Sequence, residues 1–231
     1  MNKKEKEQDT RNRLMAATEE VFSRRGYTLA TLDEIITLAD TGKGTLYKYF
    51  GNKADLFYTL VSQKHAVLMK RMWAIANKTD ESIEERLTGI LTVWIGFLRK
   101  NRVLWQVLCF EMTCSSRGYF AEKAENGDLI LATGWGNLPE AEERENILRY
   151  HRLLAEEMEP ITQVYAEGIQ KGFFKESASH EGIARNIILA SAMLVFFQTA
   201  NNLEDVTTEE LATGIVRNRL YGLAEKAADA L

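Results

Sequence analysis

The sequence predicts an all-α protein, on three observations. Apolar residues recur at spacings of three and four along most of the chain, the period of a helix with one buried face. Only two prolines, Pro139 and Pro160, occur in 231 residues, so long helices can run with few interruptions. No segment shows sustained apolar/polar alternation bounded by hairpin turns, which leaves strands without support and predicts no sheet.

The first helix is set by Leu14, Ala17, Val21 and Phe22 on one face, with Arg13, Glu19, Glu20 and Arg24 mostly away from it. Gly26 ends it, since glycine takes the left-handed C-terminal conformation without steric cost. Thr31-Leu32-Asp33-Glu34 fits a capping box and starts a second helix whose apolar face is Leu32, Ile35, Ile36 and Ala39. Asp40-Thr41-Gly42 reads as a tight turn, with aspartate tolerant of left-handed geometry. A third, short helix follows. Leu46 and Phe50 point inward, while Lys43, Gly44, Tyr47 and Lys48 form an outer face suited to phosphates and base edges. Asn52 caps a long fourth helix with Leu56, Leu60, Val67 and Leu68 along one stripe.

Two short helices joined by a tight turn, the second polar on its outer face, form a helix-turn-helix arrangement. The run TLDEIITLADTGKGTLYKYFGNKADLF resembles the DNA-binding signature of the tetracycline-repressor-like (TetR) regulators, and the likeness covers residues 10–58. The resemblance implies a recognition helix over 42–49, with Lys43 and Gly44 nearest the base edges. It places Thr31, Thr45, Tyr47, Tyr49 and Lys53 on phosphates, with Lys48 close by. The chain departs from the family pattern in four places. Asp40 stands for a turn glycine, Thr41 for an apolar residue, Ile36 for a small alanine and Gly42 for a capping serine. These departures bear on affinity more than on fold. They also keep open an alternative, a helical ligand-binding or interaction protein whose helix-turn-helix no longer reads DNA.

The resemblance further implies a DNA-binding domain over 1–55 and a helical ligand-binding and dimerisation domain over 56–231. Helical stripes run through 87–98, 104–108, 148–165 and 183–197, and a last one through Leu211, Ile215, Leu220 and Leu223. The apolar 181–200 segment and the amphipathic 207–228 segment suit a two-fold four-helix pairing, hence a homodimer on a palindromic operator. Trp94, Phe97, Trp105, Cys109, Met112 and Tyr165 are candidates to line a pocket for an apolar or aromatic effector, although aromatic stripes more often serve packing. Between 113 and 139 the periodicity fails, and four glycines suggest a long loop with a short helix at most. The functional expectation is a repressor released from its operator by a small molecule.

Bulk properties narrow the alternatives. Residues 1–70 hold 12 Lys+Arg against 9 Asp+Glu, whereas the remainder holds 17 against 24, so a basic end sits on an acidic body. The N-terminus is charged and has no apolar run, unlike a secretory signal. The longest apolar run, 187–197, is too short for a bilayer. Two cysteines, Cys109 and Cys114, make no disulfide framework, and a cytoplasmic protein is expected. His65, His151 and His180 are scattered without metal-ligand spacing, so neither a metal nor a cofactor is expected. No glycine-rich phosphate loop or nucleophile elbow is present, and the chain does not read as an enzyme.

Overall fold

The structure, a computed structural model, describes residues 2–113, 118–175 and 180–222. Among them run ten α-helices: α1 (Lys3–Leu29), α2 (Leu32–Leu38), α3 (Lys43–Phe50), α4 (Lys53–Ala76), α5 (Ile83–Lys100), α6 (Arg102–Val107), α7 (Ala141–Glu156), α8 (Glu159–Gln170), α9 (His180–Phe196) and α10 (Thr208–Tyr221). A π-helical turn, Leu108–Thr113, follows α6, and two short strands, β1 (Tyr119–Lys123) and β2 (Leu129–Thr133), precede α7. The chain divides into two compact units, Met1–Val67 with Asn101–Glu156, and Leu68–Lys100 with Glu157–Leu231.

In the first unit, Leu14, Val21, Phe22, Ile35, Leu46 and Phe50 are all buried, as their spacing requires. Phe22 and Phe57 meet edge to face at 4.8 Å between ring centroids, and Tyr27 closes the aromatic cluster at 5.2 Å from Phe57. Helix α1 starts earlier than its apolar residues suggest, because Asn2 and Glu5 form a capping box. Gly26 interrupts it at φ 72°. Val67, expected on the buried stripe of α4, is 62% exposed, so the stripe drifts off the core there.

The expectation of no sheet, with a loop over 113–139, is corrected. β1 and β2 pair antiparallel, Ala121 opposite Leu131, in a two-stranded ribbon. Tyr119 and Leu131 pack from one face onto Leu148 of α7, with Leu129 and Ile147 beside them. The turn carries Asn126-Gly127, with Gly127 at φ 86° and its N–H donating to the Ala124 carbonyl at 2.8 Å. Asn-Gly between two potential strands is a strong hairpin signal, but the strands beside it are only five residues each, too brief for alternation to stand out. Residues 114–117, Cys114 included, lie outside the described residues.

The second unit is built on α5, which buries Ile83, Arg86, Leu87, Ile90, Leu91, Trp94, Ile95, Phe97 and Leu98. A fully buried arginine needs partners. Arg86 donates to the Ala76 carbonyl and pairs with Glu167 of α8 at 2.7 Å. At the other end of α5, Arg99 donates to Thr208 Oγ1 and to the Leu203 carbonyl, both at 3.1 Å, tying α5 to the start of α10. The stripe expected to be continuous over 148–165 is two helices. Pro160 falls within the first two positions of α8, where its missing N–H costs nothing, and it could not sit inside a continuous helix.

Candidate nucleic-acid interface

Helix α2 begins where Thr31 caps it. Thr31 Oγ1 accepts from the Glu34 N–H at 3.2 Å, and the Glu34 carboxylate accepts from the Thr31 N–H at 3.3 Å. Desolvation works against the ionised Glu34, but hydrogen bonds from Arg25 and Thr31 outweigh it and hold the carboxyl below its ordinary range. The helix ends without the customary glycine. Asp40 takes a left-handed φ of 48°, and the Thr41 N–H closes the turn onto the Ile36 carbonyl at 3.2 Å. Arg13 of α1 reaches across and donates to the Ala39 and Asp40 carbonyls at 3.1 and 3.3 Å. Those carbonyls are among the groups a helix C-terminus leaves unsatisfied, so Arg13 fixes the turn from outside it.

Helix α3 is thereby held with Leu46 and Phe50 buried and Lys43, Gly44, Tyr47 and Lys48 exposed. Thr45 and Tyr49 are half-buried beside them, and Thr31 is exposed at the start of α2. Gly42 supplies no side-chain cap, which leaves the positive end of α3 without a hydroxyl or carboxylate of its own. A Cβ on Gly44 would meet nothing within 4 Å, so the fold does not demand glycine there.

The cations have local partners. Lys43 lies 3.4 Å from Asp33 and Lys48 3.5 Å from Glu7, with all four side chains exposed and the pairs correspondingly weak. Lys53, half-buried at the start of α4, donates to the Thr28 carbonyl at 3.2 Å and sits 4.7 Å over the Tyr27 ring. Tyr49 donates its hydroxyl to the Glu7 carbonyl at 3.4 Å.

Sequence reasoning missed the contribution of α1. Lys6, Thr10 and Arg13 line a cleft of about 530 Å³ with Thr41, Thr45 and Tyr49, on the flank of the exposed α3 face. The Asn2…Glu5 spacing was the available signal that α1 reaches this far. Behind the face, α7 grips the first turn of α4. Arg149 donates to Asp55 Oδ1 at 3.0 Å and to the Ala54 carbonyl at 2.9 Å, and stacks 4.4 Å over Tyr58. The neighbouring Tyr150 is buried, and burial pushes its hydroxyl pKa well up. His65 bonds through Nε2 to the Leu153 carbonyl at 3.0 Å, and its burial drives the imidazole pKa down.

The residues expected to line an effector pocket fall in both units. Trp94 and Phe97 stack at 6.4 Å within the second unit, and Tyr165 stacks on Phe174 there at 4.5 Å. Trp105 is buried in α6 and Cys109 half-buried in the π-helical turn, both in the first unit. The Met112 side chain lies outside the described residues. Of this set, Tyr165 borders a small apolar cavity with Leu87, Leu91 and Ile161. Leu189 and Met193 of α9, with Phe197 just past its end, form an exposed apolar row at four-residue spacing. Among the described residues, no group of three His, Cys, Asp or Glu could hold a metal ion, and no helix is long and apolar enough to cross a membrane.

Residues 14–59 match the family profile described as bacterial regulatory proteins, tetR family. An uncharacterised HTH-type transcriptional regulator of Bacillus subtilis, YhgD, is 31% identical over 124 residues, 53% of this chain and 58% of that protein. The HTH-type transcriptional regulator TtgR of Pseudomonas putida is 39% identical over 62 residues, 27% of this chain and 30% of TtgR. The matched region thus spans less than two thirds of either relative. Among solved structures, the transcriptional regulator FadR from Bacillus subtilis, in complex with stearoyl-CoA, superposes with a TM-score of 0.67 at 21% identity, covering 92% of this chain and 98% of that one. At that identity the likeness is one of fold.

Proposed function

We propose, from the membership of residues 14–59 in the tetR family of bacterial regulatory proteins, that this chain is a sequence-specific DNA-binding transcriptional regulator, a repressor released from its operator by a small molecule. The observation that carries the reading is α3, with Leu46 and Phe50 anchored in the core and Lys43, Gly44, Tyr47 and Lys48 turned outward. Lys43 and Gly44 approach base edges, and the uncapped start of α3 favours a nearby phosphate. Thr31, Thr45, Tyr47, Tyr49 and Lys53 contact phosphates, with Lys48 near them. Lys6, Thr10 and Arg13 extend that contact along α1. The weak ion pairs of Lys43 and Lys48 are exchanged for phosphate or base partners on binding.

Residues 1–55 form the DNA-binding domain and 56–231 the sensing and dimerisation domain. Two copies associate through 181–200 and 207–228, of which 223–228 lie outside the described residues. The exposed row Leu189, Met193 and Phe197 supports this contact. A two-fold dimer presents two α3 helices to a roughly palindromic site. An apolar or aromatic effector is the reading for the sensing domain, and stearoyl-CoA in the structurally similar FadR agrees with an apolar one. The Arg149 and Tyr150 grip on α4 offers a route by which movement of α7 shifts the base of the DNA-binding domain. The chain works in the cytoplasm and catalyses no reaction.

An electrophoretic mobility shift against the DNA flanking its own gene, repeated across salt concentrations, tests the reading. The expected result is a complex that resists excess unrelated DNA, weakens steeply with salt, and protects a near-palindromic site from nuclease. If specific and unrelated DNA compete equally, or no complex forms, the chain is instead a helical protein whose helix-turn-helix no longer reads DNA.

A further inference from the structure

In the second unit, α5, α8, α9 and α10 enclose a cavity of about 10 Å³ walled by Leu87, Leu91, Ile161 and Ile187, with Tyr165, Arg219 and Leu220 at one side. It has room for about one water, and its apolar walls offer that water no partners. The same three residues, Tyr165, Arg219 and Leu220, also border an adjoining cleft of about 190 Å³, together with Phe174, Lys175 and Ile183. Tyr165 is buried and its ring stacks on Phe174 at 4.5 Å and 18°. Arg219 borders the same cleft beside this aromatic wall. Among the described residues, the lining of the cleft holds two cations, Lys175 and Arg219, and no carboxylate.

We propose that this cleft binds a small amphipathic anion, a carboxylate on an aliphatic chain or single ring, with its head on Arg219 and Lys175 and its apolar body on Phe174 and Tyr165. The physical reason is the pairing of an apolar floor with cations on one side. Both cations are exposed and hydrated, and a carboxylate can replace water on the Arg219 guanidinium in a planar fork, a charge-assisted pairing that an apolar molecule or an amine does not make. The volume lies below the roughly 300 Å³ at which drug-sized pockets begin, which limits the body to one chain or ring. The half-buried Leu220 borders both spaces, and its rotation lets the end of the chain enter the smaller one toward Leu87 and Leu91. Binding there is independent of whether the chain reads DNA.

Calorimetric titration of the full chain with octanoate, octylamine and octanol tests this directly. Octanoate should saturate one site per chain and bind about tenfold or more tighter than octylamine, the margin a charge-assisted hydrogen bond supplies. Arg219→Met alters an exposed side chain that falls within the 207–228 segment proposed for association, so both circular dichroism and the sedimentation coefficient should stay unchanged. The variant should lose about tenfold on octanoate while octanol affinity holds. Equal affinity for octanoate and octylamine, no saturation at millimolar octanoate, or an Arg219→Met protein that binds octanoate normally would each overturn the assignment.

Discussion

Helices α3 and α9 solve the same packing problem and leave opposite surfaces behind. Each buries one face, α3 through Leu46 and Phe50, α9 through Ala184, Ile188, Ala192 and Val195. The face α3 leaves in solvent carries Lys43, Gly44, Tyr47 and Lys48, whereas α9 leaves Leu189 and Met193, with Phe197 just beyond its end. Burial says that a helix belongs to a core, but the exposed face says what kind of body is expected beyond it. Cations, a phenol and an uncapped N-terminus suit a polyanion. A row of large apolar side chains suits another apolar row, and a second copy of α9 provides one.

The contrast breaks first at the core. Leu46→Ala should cost about 2–5 kcal/mol, the range for deleting a fully buried leucine, and chemical denaturation would measure it. A loss below 1 kcal/mol would mean that α3 is not anchored as its buried face implies. On α9, the double change Leu189→Asp and Met193→Asp alters exposed residues, so the fold should persist while association weakens by about 2 kcal/mol or more. Sedimentation showing an unchanged dimer would remove α9 from the interface.

On α3 the expected effects are smaller and differ in kind. Lys43→Ala should cost roughly 1–3 kcal/mol per half-site on the preferred base and relax discrimination at one symmetric pair of positions. Lys53→Ala should weaken all sequences alike and flatten the salt dependence by about one unit of slope. Binding isotherms on a panel of single-base operator variants separate the two. The smallest change expected is Asp40→Gly. A left-handed φ of 48° strains a side-chain-bearing residue, and glycine relieves it at some entropic cost, so stability should rise by no more than about 1 kcal/mol. A fall on thermal unfolding would mean that the Asp40 side chain itself supports the turn, through its 4.0 Å approach to Arg13.

The legibility of the two regions differs for a physical reason. The α2–α3 segment is written in short-range rules, a capping box, an inward i, i+4 pair and a left-handed aspartate, and each operates within a few residues. The 118–135 ribbon obeyed a rule just as local, Asn126-Gly127, but its strands are short and only one face is covered, so alternation was too brief to stand out. The Arg13 clamp joins residues 26 and 27 positions apart, and no periodicity in either segment announces it. The pocket candidates fared similarly. Their aromatic character marked them as large and apolar, yet whether a given ring packs against a neighbour or borders a void depends on the opposing helix.

The sequence by itself therefore determined the helical class, the start of α2 at Thr31, the inward pair Leu46 and Phe50, and the outward set on α3, because all of these follow from spacing along one helix. Tertiary structure decided the rest. It brought Arg13 onto the α2 turn, set Arg149 against the first turn of α4, paired β1 with β2 over Leu148, and placed Arg219 beside Tyr165 at the mouth of a cleft. Those contacts join residues far apart in the chain, and they exist only once the buried faces have chosen their partners.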